Sequence, residues 1–170
     1  MNLTGRTAVI TGGGRGVGAA AAYALAEAGA TVAVAARNEE QVVDVAAQLR
    51  QRGYEAFAFR CDVTDHHQVR DLALSASETM GKVDILINNA GTATSNPLSE
   101  VKLQEWNHIM AVNATGTFLC KQAMYPGMVN RWVGAYRECR RHCWNRRGPG
   151  ALGVRSGRAR RSWVHEGDCQ

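Results

Sequence analysis

Residues 7–28 read Thr7-Ala-Val-Ile-Thr11-Gly12-Gly13-Gly14-Arg15-Gly16-Val17-Gly18-Ala-Ala-Ala-Ala-Tyr-Ala-Leu-Ala-Glu-Ala28. The short apolar run Thr7–Thr11 is rich in β-formers and stops at three consecutive glycines, after which Ala19–Ala28 supplies strong helix formers. The stretch therefore predicts a strand, a glycine turn and a helix. In that context a glycine turn has a chemical use. Glycines let the backbone come close to a diphosphate, and the N-terminus of the following helix offers unpaired N–H groups at the positive end of its dipole. Without a ligand the same residues would make only a tight turn.

Working outward, the unit repeats. Thr31–Ala36 reads as a buried strand, Glu39–Arg52 as an amphipathic helix and Gly53 as its stop. Tyr54–Cys61 makes a third strand, and Thr64 or Asp65 caps a helix that runs to Met80 and ends at Gly81. Val83–Asn88 is a fourth strand and Trp106–Met124 a further long helix. Strands alternating with helices of this length require a parallel sheet with right-handed crossovers. The expected fold is α/β, a doubly wound parallel sheet of Rossmann-like form, incomplete at its C-terminal side.

Composition divides the 170 residues in two. Residues 1–130 carry 10 Lys/Arg against 12 Asp/Glu, whereas residues 131–170 carry 10 Arg against 3 acidic residues, giving −2 and +7. The same forty C-terminal residues hold three of the four Trp and three of the five Cys. Periodicity fails after Pro126-Gly127. The expected organisation is a dinucleotide-binding part over 1–130 and an Arg-rich tail over 131–170 without a recognisable fold. With no good candidate for a fifth strand in that tail, the fourth strand is expected to present an open edge and the chain to dissolve poorly. No apolar stretch reaches membrane-spanning length, and an odd number of scattered cysteines without a secretion signal points to reduced thiols and a cytoplasmic location.

Four motifs in order resemble the short-chain dehydrogenase/reductase family over roughly residues 3–130. Thr11-Gly12-x-x-x-Gly16-x-Gly18 has that family's glycine spacing, and Asn88-Asn89-Ala90-Gly91 follows the fourth strand as its Asn-Asn-Ala-Gly motif does. Cys61-Asp62-Val63 ends the third strand where the family's adenine-contacting Asp lies, and Asn113 in Val-Asn-Ala-Thr-Gly-Thr-Phe resembles its active-site Asn. The resemblance implies dinucleotide binding by Thr11, Gly12, Gly13, Gly14, Arg15, Gly16, Val17, Gly18, Arg37, Asp62, Val63, Asn89, Ala90 and Gly91. It implies reduction of a ketone, such as a 3-oxoacyl or polyketide-like carbonyl, or oxidation of a secondary alcohol. A homo-oligomer is also in keeping with it.

Charge argues cofactor preference. An acidic residue at the end of the second strand would bind a ribose 2′-hydroxyl and repel a 2′-phosphate. Here Ala35-Ala36-Arg37-Asn38 stands there, and Arg37 together with Arg15 favours NADP over NAD.

The resemblance also implies a Ser, a Tyr and a Lys that hold the carbonyl and move the proton. At the family's spacing from Asn113 these positions are Arg141, Val154 and Arg158, so the set is missing. Tyr136-x-x-x-Arg140 comes too early, and guanidinium is a poor proton relay. The tail is consistent with a shifted reading frame of a GC-rich gene. Moved forward by one base, Trp132–Trp144 permits Gly-Trp-Gly-Arg-Ile-Val-Asn-Val-Ala-Ala-Thr-Ala-Gly, which resembles the family's fifth strand, although Arg141 then cannot yield Ser nor Arg158 Lys. Resequencing around codons 128–132 tests this.

Two other readings of the tail are weaker. Its arginines suit phosphate backbones, making the chain a binding protein acting through a basic tail, yet no nucleic-acid module accompanies them. Cys139-x-x-x-Cys143 and His165-x-x-x-Cys169 have zinc-ligand types, yet nothing between them suggests a fold that would join the pairs, and no metal site is expected.

Overall fold

The computed structural model describes residues 2–129 and 135–138. Strands β1 (Thr7–Thr11), β2 (Thr31–Ala36), β3 (Ala56–Arg60), β4 (Ile85–Asn88) and β5 (Ala135–Glu138) alternate with helices α1 (Gly16–Glu27), α2 (Glu39–Gln51), α3 (His66–Met80), α4 (Leu103–Met110) and α5 (Gly116–Val129). The sheet order is β3-β2-β1-β4-β5 and every pairing is parallel. The chain reverses direction of addition between β1 and β4, and that crevice, at the carboxyl ends of the strands, is where open α/β sheets bind ligands.

Both faces of the sheet are covered, so the central strands are apolar without alternation. Ile10, Val32 and Val34 face α1 and α2, packing with Ala22, Ala26, Val42, Ala46 and Leu49. Val9, Ala33 and Leu86 face the other way, against Val69, Leu72 and Ala76 of α3 and Cys120 and Met124 of α5. The period-two reversal of side chains puts neighbours Val9 and Ile10 into opposite cores.

The helix boundaries follow their chemistry. Asn38 Oδ1 accepts from Gln41 N at 3.1 Å to open α2, and Asp65 Oδ1 accepts from His67 N at 2.9 Å and Gln68 N at 3.3 Å to open α3. Asp65, rather than Thr64, is the cap; Thr64 instead donates its hydroxyl to Asp62 Oδ1 at 2.8 Å. Gly81 ends α3 with φ 73°, a left-handed conformation that glycine adopts without a Cβ penalty.

Two expectations need correction. The first concerns the fifth strand. Ala135–Glu138 pairs with β4 in the register Ile85↔Ala135 to Asn88↔Glu138, so the described sheet extends beyond residue 130 and the premise of an open β4 edge falls. A parallel ladder is made by backbone groups, and four residues suffice to occupy β4's unpaired N–H and C=O groups without the apolar alternation that would advertise a strand. The second concerns the long helix. It starts at Leu103, widens into a π turn over Ala111–Thr115 and continues as α5 through Pro126 to Val129. Pro126 lies close to the end of α5, where few further turns are left for it to disturb.

Among the described residues no helix is long and apolar enough to cross a membrane. Arg141, Val154 and Arg158, the Cys139/Cys143/His165/Cys169 set and the remainder of the Arg-rich tail lie outside the described residues.

Candidate functional site

The glycine turn is held from behind by the end of β4. Asn89 Nδ2 donates to Thr11 O at 3.2 Å and to Gly12 O at 3.0 Å. In return Thr11 Oγ1 accepts from Asn89 N and from Ala90 N, each at 3.2 Å, and donates to Ile87 O at 3.4 Å. Two segments almost eighty residues apart are thus tied by five hydrogen bonds at the sheet's carboxyl edge.

Close approach explains the glycines. A Cβ on Gly18 would lie 2.2 Å from Gly12 O and 2.4 Å from Asn89 Nδ2, so α1 meets the turn only because Gly18 has none. At Gly12, with φ 64°, a Cβ would lie 2.8 Å from Ala90 Cα. Gly16 is different. Its φ is 57° but a Cβ there would meet nothing within 4 Å, so the outer side of the turn opens on free space. Gly13 N donates to Ala35 O at 3.2 Å, and Gly14 packs on Gln41 of α2.

The start of α1 contrasts with α2 and α3. Its N-cap is Arg15, which makes no side-chain cap, and its first turn has no acidic residue. The first N–H groups of this 12-residue helix therefore face the open side of the turn without an acceptor from a capping side chain. A turn that opens on free space at Gly16, beside the N–H groups of a helix start that no side chain caps and the positive end of its dipole, fits a diphosphate. Arg15 and Arg37 are both exposed, and neither forms an ion pair within the described residues. Contact between Gly14 and Gln41 brings the glycine turn, with Arg15 next to Gly14 in the chain, against the first turn of α2, whose N-cap Asn38 follows Arg37.

At the other side, Asp62 Oδ1 accepts from Thr64 N at 2.9 Å and from the Thr64 hydroxyl, a local turn that orients the carboxylate just after β3. Val63 is buried against Gly116, where a Cβ would lie 2.7 Å from Val63 Cγ2. Asn113 sits in the π turn. Its Oδ1 accepts from Thr92 N at 2.8 Å and its Nδ2 donates to Thr92 O at 2.7 Å, clamping the segment that follows Ala90 and Gly91. Val17, 57% exposed, extends an apolar side chain from the first turn of α1.

The motif residues singled out from sequence thus gather along the carboxyl edge of β1, β2, β3 and β4. Thr92, Gly116 and Gln41 belong to the same edge and were missed. A glycine inside a helical stretch was the available signal for Gly116; nothing local marks Thr92 or Gln41. Among the described residues no group of three or more His, Cys, Asp or Glu is gathered to hold a metal ion.

The family model for short-chain dehydrogenases matches residues 6–135. The chain belongs to the short-chain dehydrogenase family. Similar members of the family include an uncharacterized oxidoreductase of Thermotoga maritima, 37% identical over 132 residues, covering 78% of this chain and 52% of the relative. D-Threitol dehydrogenase of Mycolicibacterium smegmatis is 39% identical over 135 residues, 79% of this chain and 52% of that protein. A crystal structure of a putative short-chain alcohol dehydrogenase from Sinorhizobium meliloti superposes with a TM-score of 0.77 at 39% identity, covering 81% of this chain and 54% of the other. Hydroxysteroid dehydrogenase from Escherichia coli does so with a TM-score of 0.75 at 34% identity, covering 81% and 55%. The chain spans about half the length of the short-chain dehydrogenases it matches.

Proposed function

We propose that this chain binds NADP(H), its diphosphate on the turn Gly12–Gly18 and the uncapped start of α1, and that it descends from oxidoreductases acting on ketones or secondary alcohols. The observation that carries the reading is the uncapped N-terminus of α1 beside a turn whose outer face would meet no side-chain atoms at Gly16. Arg15 and Arg37 supply two cations for a 2′-phosphate, and no acidic residue precedes Glu39 after β2. In this reading Asp62 and Val63 contact the adenine, and Asn89, Ala90 and Gly91, which follow β4, complete the dinucleotide site. When bound, the nicotinamide supplies or accepts the hydride. Asn113 holds the loop at Thr92 through both of that residue's backbone groups.

Turnover requires a group that gives a proton to the carbonyl oxygen, and Arg141, Val154 and Arg158 occupy the positions where the family's spacing puts Ser, Tyr and Lys. The chain as written is therefore a cofactor-binding protein with little or no activity of its own. The small-molecule substrate is a carbonyl compound or its alcohol.

Titration calorimetry on the 170-residue chain tests the binding. NADPH is expected to bind more tightly than NADH, and replacing Arg15 or Arg37 by Ala to cost about tenfold in NADPH affinity, the size of one charge-assisted hydrogen bond. Lack of affinity for both dinucleotides overturns the reading. NADPH consumption above a blank with a panel of ketones would overturn the loss of activity alone.

A further inference from the structure

Gln41 takes part in none of the motifs above, yet it stands where the glycine turn meets α2. Gly14 lies so close that a Cβ on it would come 2.8 Å from Gln41 Cβ and 3.3 Å from Gln41 Oε1. Gly14 immediately precedes Arg15, and Gln41, in the first turn of α2, stands four residues after Arg37. Its own N–H is held by Asn38 Oδ1 at 3.1 Å, which fixes the backbone from which the side chain departs. Helical side chains lean towards the helix N-terminus, and this one lies against Gly14, the residue before Arg15. Gln41 is half-buried, and its carboxamide makes no hydrogen bond among the described residues. The two ends of an amide exchange by a simple flip, so either the donor or the acceptor can face the crevice.

We infer that Gln41 is a third determinant of cofactor choice, donating through Nε2 to the phosphate on the adenosine ribose between Arg15 and Arg37. The assignment rests on the proposed dinucleotide site. It adds a neutral group with different consequences from the arginines: an amide gains a charge-assisted bond with a 2′-phosphate, but leaves a 2′-hydroxyl acceptable.

The test is calorimetry of NADPH and NADH with the full chain carrying Gln41→Met, which keeps length and loses the donor, or Gln41→Glu, which puts a negative charge in its place. Circular dichroism melting of each variant confirms an intact fold. Gln41→Met should weaken NADPH about tenfold and change NADH by no more than about twofold, and Gln41→Glu should weaken NADPH further. Equal losses for both cofactors, or an unchanged ratio between them, would overturn the assignment while leaving the dinucleotide site standing. An unsubstituted chain that binds neither cofactor overturns the site and the assignment together.

Discussion

The side-chain amide of Asn89 donates to the carbonyl of Gly12 across 3.0 Å, joining the end of β4 to the glycine turn. The same nitrogen also holds Thr11 O at 3.2 Å. Replacing Asn89 by Leu removes both donors and strands two carbonyls in a site that is almost closed to solvent. We expect a loss of about 3 kcal/mol in stability, and with it the shape of the turn. Urea denaturation of the variant measures it; a change below about 0.5 kcal/mol would mean that these bonds do not hold the turn.

Gly18 and Gly16 differ in why they are glycine, and the difference is measurable. Gly18→Ala drives a Cβ to 2.2 Å from Gly12 O, which is backbone and cannot swing aside. It should destabilise by about 3 kcal/mol or prevent folding. Gly16→Ala meets open space and carries only the left-handed φ of 57°, a cost of about 1–2 kcal/mol. Thermal melts of the two variants should fall in that order, and the reverse order would refute the geometry.

Asn113 grips both polar groups of the Thr92 backbone, and this clamp is expected to control the loop more than the fold. Asn113→Ala should cost about 1 kcal/mol of global stability. Amide hydrogen exchange should rise strongly over residues 92–97 and in β1 and β2 by no more than the roughly fivefold that a global loss of about 1 kcal/mol allows. Uniform acceleration across the sheet would instead make Asn113 a general structural residue.

Burial pushes the thiols of Cys61 and Cys120 up to about 12, with nearby Asp62, Asp65 and Asp71 adding to the effect at Cys61 and Cys61 itself adding to it at Cys120. At neutral pH both stay protonated and covered, so iodoacetamide followed by peptide mass spectrometry should leave them unmodified in the native chain and label both in denaturant. The sign for stability follows: the unfolded thiols ionise near 9 while the folded ones do not, so their contribution is complete below pH 9 and is lost as pH rises towards 12. Substituting both by Ala should flatten the alkaline fall in melting temperature. Rapid labelling of either cysteine in the native chain would contradict the packing.

Acid acts on a different element. Hydrogen bonds from Gln68 and His67 hold the Asp65 carboxyl below the usual carboxylate range, the Gln68 side chain contributing most. A depressed folded pKa gives support that is complete above the ordinary carboxylate range and disappears as pH falls through the group's own lower value. Asp65→Ala should therefore weaken amide protection in the first turn of α3 at neutral pH, and the difference from the unsubstituted chain should vanish in strong acid. A difference that persists unchanged would assign the effect to something other than the cap.

Much of this molecule was legible along the chain. β1 and β2 follow from apolar runs that end at a glycine or an arginine, and the start of α3 from Thr64 or Asp65, because each depends on neighbours within four residues; that Asp65 is that cap, and Asn38 the cap of α2, came from the structure. The strand at Ala135–Glu138 was not legible: Tyr136, Arg137 and Glu138 lack the pattern of a buried strand, and only the free edge of β4 recruits them. The π turn around Asn113 escaped for a similar reason. It exists together with a side-chain clamp on Thr92 and a close contact between Gly116 and Val63, partners remote in sequence.

The amino-acid order alone determined the βα alternation, the glycine turn and the charges that border it, since strand, helix and turn propensities are local properties of consecutive residues. Only the tertiary structure decided that Asn89 backs Gly12, that Gly18 has no room for a methyl group, and that Gln41 reaches the turn from α2. Those facts are distances between segments far apart in the chain, and such distances come into being when the two apolar faces of the sheet are buried and the helices are pressed onto them.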